Sequence, residues 1–154
     1  LDLTAYWDAK DACESPIEQK MLTALVMSAL DEMPISFKVG AGEPSEPNYP
    51  DAHFRGHQAR LVIELQQKIE RFRVDFVISF ATSGQCTQRV IVECDGHDWH
   101  EKTKEQARRD RARDRRLQTL GYRVFRFTGR EIHEDAQACA DEAWGSLMRL
   151  EGLS

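Results

Sequence analysis

The stretch that most constrains this chain runs from Arg89 to His100, R-V-I-V-E-C-D-G-H-D-W-H. Val90, Ile91 and Val92 form a β-branched run that suits a strand inside a packed sheet. The run ends in groups that such a sheet does not want. Glu93 and Asp95 are two residues apart, so on a strand both carboxylates leave the same face. Gly96 breaks the strand, and His97 and His100 follow on the exit. Two crowded carboxylates repel unless a cation lies between them or one is protonated. Hard divalent cations prefer carboxylate oxygens and water. The residues therefore suggest a metal site at the C-terminal end of this strand, against the plainer reading of two solvated acids before a turn.

The chain has 154 residues and suits a single domain with a real core, with residues 1–14 as an N-terminal extension. No apolar run is long enough to span a membrane, and no basic segment followed by an apolar one marks a signal peptide. A Leu start suits a trimmed or partial sequence, so a homodimer or a place in a larger multidomain protein stays open. Cys13, Cys86, Cys94 and Cys139 are widely spaced with no C-x-x-C pair, which points to a reduced, cytoplasmic setting rather than to structural zinc. The net charge of −5 speaks against nucleic acid, but its distribution does not. Between Glu101 and Arg130 there are 11 Lys/Arg against 4 Asp/Glu, and such a block can still face phosphates.

Local signals place the other elements. Leu1 to Ala12 reads as a short helix anchored by Tyr6 and Trp7. Ser15-Pro16-Ile17-Glu18 is a capping box with proline at the first helical position, opening a helix that stops before Pro34. Glu18 thus has a structural job: its carboxylate can reach back to the Ser15 amide. Ile35 to Val39 is a short strand, and residues 40–57, with three prolines, read as a long surface loop holding His53 and His57. Leu61 to Leu65 and Phe72 to Phe80 are strands. In the second, Phe72, Val74, Phe76, Ile78 and Phe80 should share one face, and Arg73, Asp75, Val77 and Ser79 the other. Asp75 is an acid inside an apolar strand, which needs a partner. Arg73 is the bland candidate. The alternative is convergence with Glu93 and Asp95 across a hairpin turned at 82–85. Glu101 to Leu120 reads as a helix whose arginines, Arg108, Arg109, Arg111, Arg113, Arg115 and Arg116, either form a solvated face or contact phosphates. Gly121 caps it, Tyr122 to Phe127 is a strand, and Thr128-Gly129-Arg130-Glu131 opens a last helix with Ile132, Ala136, Cys139, Ala143, Leu147 and Leu150 inward. His133 and Trp144 read as structural.

This order of helix, three strands, helix and strand, with acids on the second and third strands, resembles the PD-(D/E)XK nuclease superfamily. The likeness sharpens in R-V-D-F (73–76), I-V-E-C-D-G-H-D-W-H (91–100) and D-R-A-R-D-R-R-L-Q-T-L-G-Y-R-V-F-R-F (110–127). These motifs resemble bacterial domains related to very-short-patch-repair endonucleases. The resemblance implies an α/β restriction-endonuclease-like core: a three-stranded meander, then helix and strand, in a mixed sheet flanked by helices. It implies an endonuclease acting on DNA with Mg²⁺ or Mn²⁺, in restriction, repair or mobile-element defence. Asp75 and Glu93 take the two acidic metal-binding places, with Asp95 as a further ligand where the wider superfamily usually has lysine. His100 resembles the active-site histidine of the repair enzymes, and Glu18 the first-helix glutamate that completes the site. Asp110 and Arg113 match positions with a structural or substrate-facing role. The repair enzymes' zinc site has no counterpart in these cysteines. The rival implied by the missing lysine is an inactive nuclease-like module that binds nucleic acid or a partner protein.

Overall fold

The computed structural model describes residues 1–30, 33–40, 59–82, 85–96 and 103–150. In chain order these are α1 (Leu3–Ala12), α2 (Pro16–Ala29), β1 (Ile35–Val39), β2 (Ala59–Ile69), β3 (Phe72–Thr82), β4 (Gln85–Asp95), α3 (Lys104–Thr119), β5 (Arg123–Thr128) and α4 (Gly129–Leu150). The long loop with His53 and His57, the tip of the β3–β4 turn, and His97 and His100 lie outside the described residues.

The five strands form one mixed sheet in the order β1-β2-β3-β4-β5. β2, β3 and β4 are an antiparallel meander, and β1 and β5 join its two edges in parallel. The parallel β4–β5 pair is what a strand–helix–strand segment allows, since parallel neighbours need a long crossover. α2 and α4 cover one face of the sheet. Met21, Leu22 and Leu25 of α2 meet Ile132, Ala140 and Leu147 of α4 over Ile63, Phe76, Ile78 and Val92. A smaller core lies on the other face, where Leu117 of α3 packs with Ile69, Val74, Val77 and Ile91.

The helix starts follow their local chemistry. Ser15 caps α2, its hydroxyl accepting from the Glu18 amide at 3.3 Å, with Pro16 at the first position. Thr128 and Glu131 exchange bonds as a capping box, Thr128 N donating to Glu131 Oε2 at 2.8 Å. α4 breaks at Asp135, whose backbone is non-helical and whose carboxylate accepts from the Ala138 amide, capping the continuation. α3 begins at Lys104 rather than Glu101, because Thr103 and Gln106 form a reciprocal capping box of their own. Gly121 ends α3 at φ +96°, a conformation that glycine adopts without a Cβ clash, and its amide donates to Gln118 O.

Strict alternation fails along β3. Phe76, Ile78 and Phe80 face the large core as expected, but Phe72 and Val74 join the small one together with Val77. β2 changes face at the matching place: Leu61, Ile63 and Leu65 belong to the large core and Ile69 to the small one. The switch falls where the β2–β3 register skips from Leu65↔Phe76 to Gln67↔Val74, and Gln66 there has φ +53°. The residue at the switch on β3 is Asp75.

Candidate active site at the splayed end of the meander

The β3–β4 ladder also stops here. Its last pair at this end is Phe76↔Val92, while β4 continues through Glu93, Cys94 and Asp95 paired only with β5. The freed amide of Cys94 would be an orphan donor inside the protein. Asp75 supplies the missing acceptor: Cys94 N donates to Asp75 Oδ2 at 2.8 Å. The bland expectation of an Asp75–Arg73 bridge does not hold, because Arg73 turns out to solvent and pairs with Glu14.

The same splaying brings Asp75 and Glu93 together. Their side chains are hydrogen-bonded, so one of them carries a proton. Glu93 is only 5 % exposed. Burial, reinforced by the Asp75 charge, pushes its carboxyl up to about 8, against the pull of Arg113 and Arg126. Burial also raises Asp75, opposed first by the Cys94 amide. The two act as a unit that holds a proton at pH values where free carboxylates have lost theirs.

Two arginines brace this pair. Arg113 reaches in from α3, ion-paired to Glu93 and also donating to the carbonyl of Arg73. Arg126 stands beside Glu93 in the β4–β5 register and is held by Asp114 of α3 at 2.9 Å. α3 thus delivers Arg113 directly and Arg126 through Asp114, which the helical spacing of 113, 114 and 117 on the sheet side permits.

Glu18 approaches from α2. It is buried, and its carboxylate accepts from the Glu14 amide at 2.9 Å, the Ser15 hydroxyl at 3.1 Å and the Gln66 side-chain amide at 2.8 Å. The backbone bond is therefore to Glu14, one residue before the expected Ser15. Burial raises its carboxyl above the ordinary value, and the Asp75 charge adds to that. Capping and proximity to the acidic pair are the same fact: the cap fixes the carboxylate at the start of α2, and that start abuts Asp75. Gln66 is the site neighbour that sequence reasoning missed. Its position comes from a left-handed backbone inside a strand, which no composition or periodicity announces.

The other expected residues distribute differently. Asp95 is half-buried at the end of β4, in register with Thr128. Among the described residues no three His, Cys, Asp or Glu side chains gather into a metal-holding group, so neither Asp95 nor Glu18 completes a triad with Asp75 and Glu93. The arginines of α3 also divide. Arg113 serves the acidic pair, Arg116 chelates Glu70 at 2.6 and 3.1 Å, and Arg109 pairs with Glu105 one turn earlier. Arg108, Arg111 and Arg115 are exposed and make no ion pair among the described residues.

The donor chemistry suits a hard cation. Two carboxylates in hydrogen-bond contact, one held protonated by burial and by the other's charge, offer a divalent ion the place the proton occupies. The neighbouring thiols do not compete as soft ligands. Burial pushes Cys13 up to about 12 and Cys94 higher still, so both stay neutral.

The family model REase_MTES_1575 matches residues 57–147, more than half of the chain. The chain belongs to this restriction-endonuclease-like family. The nuclease-like segment so defined contains β2 to β5, α3 and most of α4, and with them Asp75, Glu93, Arg113 and Arg126. No curated protein and no solved structure matches the chain. Among the described residues no helix is long and apolar enough to cross a membrane.

Proposed function

We propose that the protein is a divalent-metal-dependent endonuclease that hydrolyses phosphodiester bonds of DNA. The observation that carries this reading is the buried pair Asp75–Glu93, braced by the Cys94 amide and Arg113 at the splayed end of the meander, within the segment that matches a restriction-endonuclease-like family. Asp75 and Glu93 would hold Mg²⁺ or Mn²⁺ through their carboxylate oxygens, with water completing the shell. When bound, the ion acidifies a water and offsets negative charge on the phosphate oxygens. Arg113 and Arg126 supply fixed positive charge at the carboxylates. They make up for the lysine that Asp95 replaces, and Arg113 is close enough to Glu93 to orient a scissile phosphate beside it. Glu18, held by its cap and by Gln66, adds negative charge near Asp75. His100 is assigned the proton transfer to or from the reacting oxygens, a role that imidazole chemistry permits. The exposed Arg108, Arg111 and Arg115 give backbone contact without sequence reading.

The test is plasmid nicking with Mg²⁺ and with Mn²⁺, wild type beside Asp75→Asn. The expected result is metal-dependent nicking by the wild type and none by the variant, with DNA binding retained. Nicking by the variant at the wild-type rate would remove Asp75 from the chemistry.

A second reading has one observation in its favour. Arg113 already occupies Glu93, which lets the acidic pair be a closed structural feature of an inactive module that binds nucleic acid or a partner protein. Folded wild-type protein that binds DNA but nicks with neither metal selects this reading.

A further inference from the structure

A cleft of about 650 Å³ opens between the β2–β3 turn and α3. Glu70, Arg71 and Phe72 form its hairpin wall, and Arg109, Arg113 and Arg116 its helix wall, with Ala112 too small to fill the space between them. Its size falls in the ~300–1,000 Å³ range of small-ligand clefts. Four guanidinium groups and one carboxylate line it; Arg116, Arg113 and Arg109 are ion-paired to Glu70, Glu93 and Glu105, and Arg71 is exposed. The cleft is also aromatic. Phe72 is half-buried, with the Arg71 guanidinium 5.1 Å and that of Arg113 5.9 Å from its ring centroid. Arg113 belongs both to this cleft and to Glu93, so the cleft adjoins the acidic pair.

We propose that this cleft is a subsite for one unpaired nucleotide of a DNA strand, with the base against Phe72 and its phosphate on Arg71 and Arg109. The proposal rests on the DNA-hydrolase reading above and adds the strand state of the substrate. A duplex backbone needs only cations on an open surface. A concave site that pairs an aromatic ring with guanidinium groups is the usual means of holding unstacked bases, because every base has a π-face. The competing internal pairs are weak enough to exchange. The Arg109–Glu105 pair has both side chains largely exposed, and such pairs contribute little. The substrate phosphate takes over Arg109, while Arg116 stays on Glu70 and fixes the width of the cleft between turn and helix. A strand threaded this way enters beside Arg113, and its next phosphate lies toward Glu93.

The experiment is fluorescence anisotropy in chelator, so that nothing is cut, with a labelled short oligothymidylate and a labelled duplex of equal length. Wild type is compared with Phe72→Leu, which keeps an apolar side chain against the small core, and with Arg71→Glu, which alters an exposed side chain. Thermal melts confirm that both variants are folded. Each variant is expected to lose oligothymidylate affinity by about tenfold or more, with duplex affinity within about twofold of wild type. Unchanged oligothymidylate affinity in both variants, or an equal fall for both probes, overturns the subsite. Failure of the hydrolase reading is separate: protein that never nicks plasmid but shows this Phe72-dependent preference retains the subsite and loses the nuclease, and nicking without the preference does the reverse.

Discussion

Replacing Glu93 by glutamine in metal-free protein removes the proton-sharing pair while keeping its shape. In the wild type the Glu93 carboxyl is raised from 4.5 to about 8, with burial and the Asp75 charge as the leading causes. A folded-state value above the unfolded one means that the native protein binds more protons than the unfolded chain between those two values. The slope of unfolding free energy with pH is then negative, at most ~1.4 kcal/mol per pH unit for one proton. The stabilisation is complete below the ordinary glutamate range and is lost as pH rises through about 8. Taken over the whole shift, the ceiling is ~5 kcal/mol, and a net ~2–3 kcal/mol is expected once Arg113 and Arg126 take up the charge that appears. Glutamine can still donate to Asp75 but has no proton to lose, so most of this slope disappears. The assay is urea unfolding in chelator from about pH 5 to about pH 9, wild type beside Glu93→Gln, read as the difference so that titration elsewhere cancels. The wild type should lose stability toward alkaline pH, and the variant should lose less than ~1 kcal/mol and be the more stable protein at the alkaline end. A wild-type profile that is flat or rises across this window, or equal slopes for the two proteins, would refute a shared, burial-held proton.

Adding Mg²⁺ at about pH 8 should raise the melting temperature of the wild type and not of Glu93→Gln or Asp75→Asn, since a ligand stabilises only the state that binds it. Arg113→Ala should destabilise metal-free protein by ~2–4 kcal/mol above about pH 8, where the Glu93 carboxyl ionises and the buried carboxylate has lost its partner, and by less at lower pH. It should also abolish nicking, and Arg113→Lys should recover part of the stability and less of the activity, as the shorter, more strongly hydrated ammonium replaces the guanidinium whose Nη2 meets both Glu93 and the Arg73 carbonyl. Changing Arg108, Arg111 and Arg115 together to alanine should lower the salt slope of duplex binding by about 3 and leave folding intact, because the three are exposed and unbridged among the described residues; an unchanged slope would place the phosphate contacts elsewhere.

Local rules were enough for much of the scaffold. Pro16 and Ser15 start α2 where a capping box with an N-terminal proline must, Ile35–Val39 is the strand its residues suggest, and Thr128–Glu131 opens α4. Of the convergence expected across the hairpin, the meeting of Asp75 with Glu93 is present, while Asp95 stays at the strand end in register with Thr128. What was hidden depends on partners far away in the chain. Asp75 sits at a change of face where the β3–β4 ladder ends and the β2–β3 ladder skips a pair, so counting residues along β3 put Phe72 and Val74 on the wrong side. By composition Arg113 was one of six arginines on the helix, and only the resemblance gave it a structural or substrate-facing role. Only the packing of Leu117 against the small core turns that stripe of α3 inward and carries one guanidinium to Glu93 while leaving three in solvent. Gln66 carries no mark in the sequence, since its left-handed backbone is imposed by the strands around it.

The family match begins at residue 57, yet the fold does not divide there. Gln66 spends its amide on a carboxylate that belongs to α2, and α2 is itself half of the large core beneath β3 and β4. A chain cut at the edge of the recognisable nuclease segment would expose the apolar floor of its own sheet and leave that amide without its acceptor. The matched segment thus leaves one side of its large core to α2. The helix that precedes the matched segment is a structural wall of the site, so swapping this restriction-endonuclease-like segment between relatives would have to carry α2 along with it.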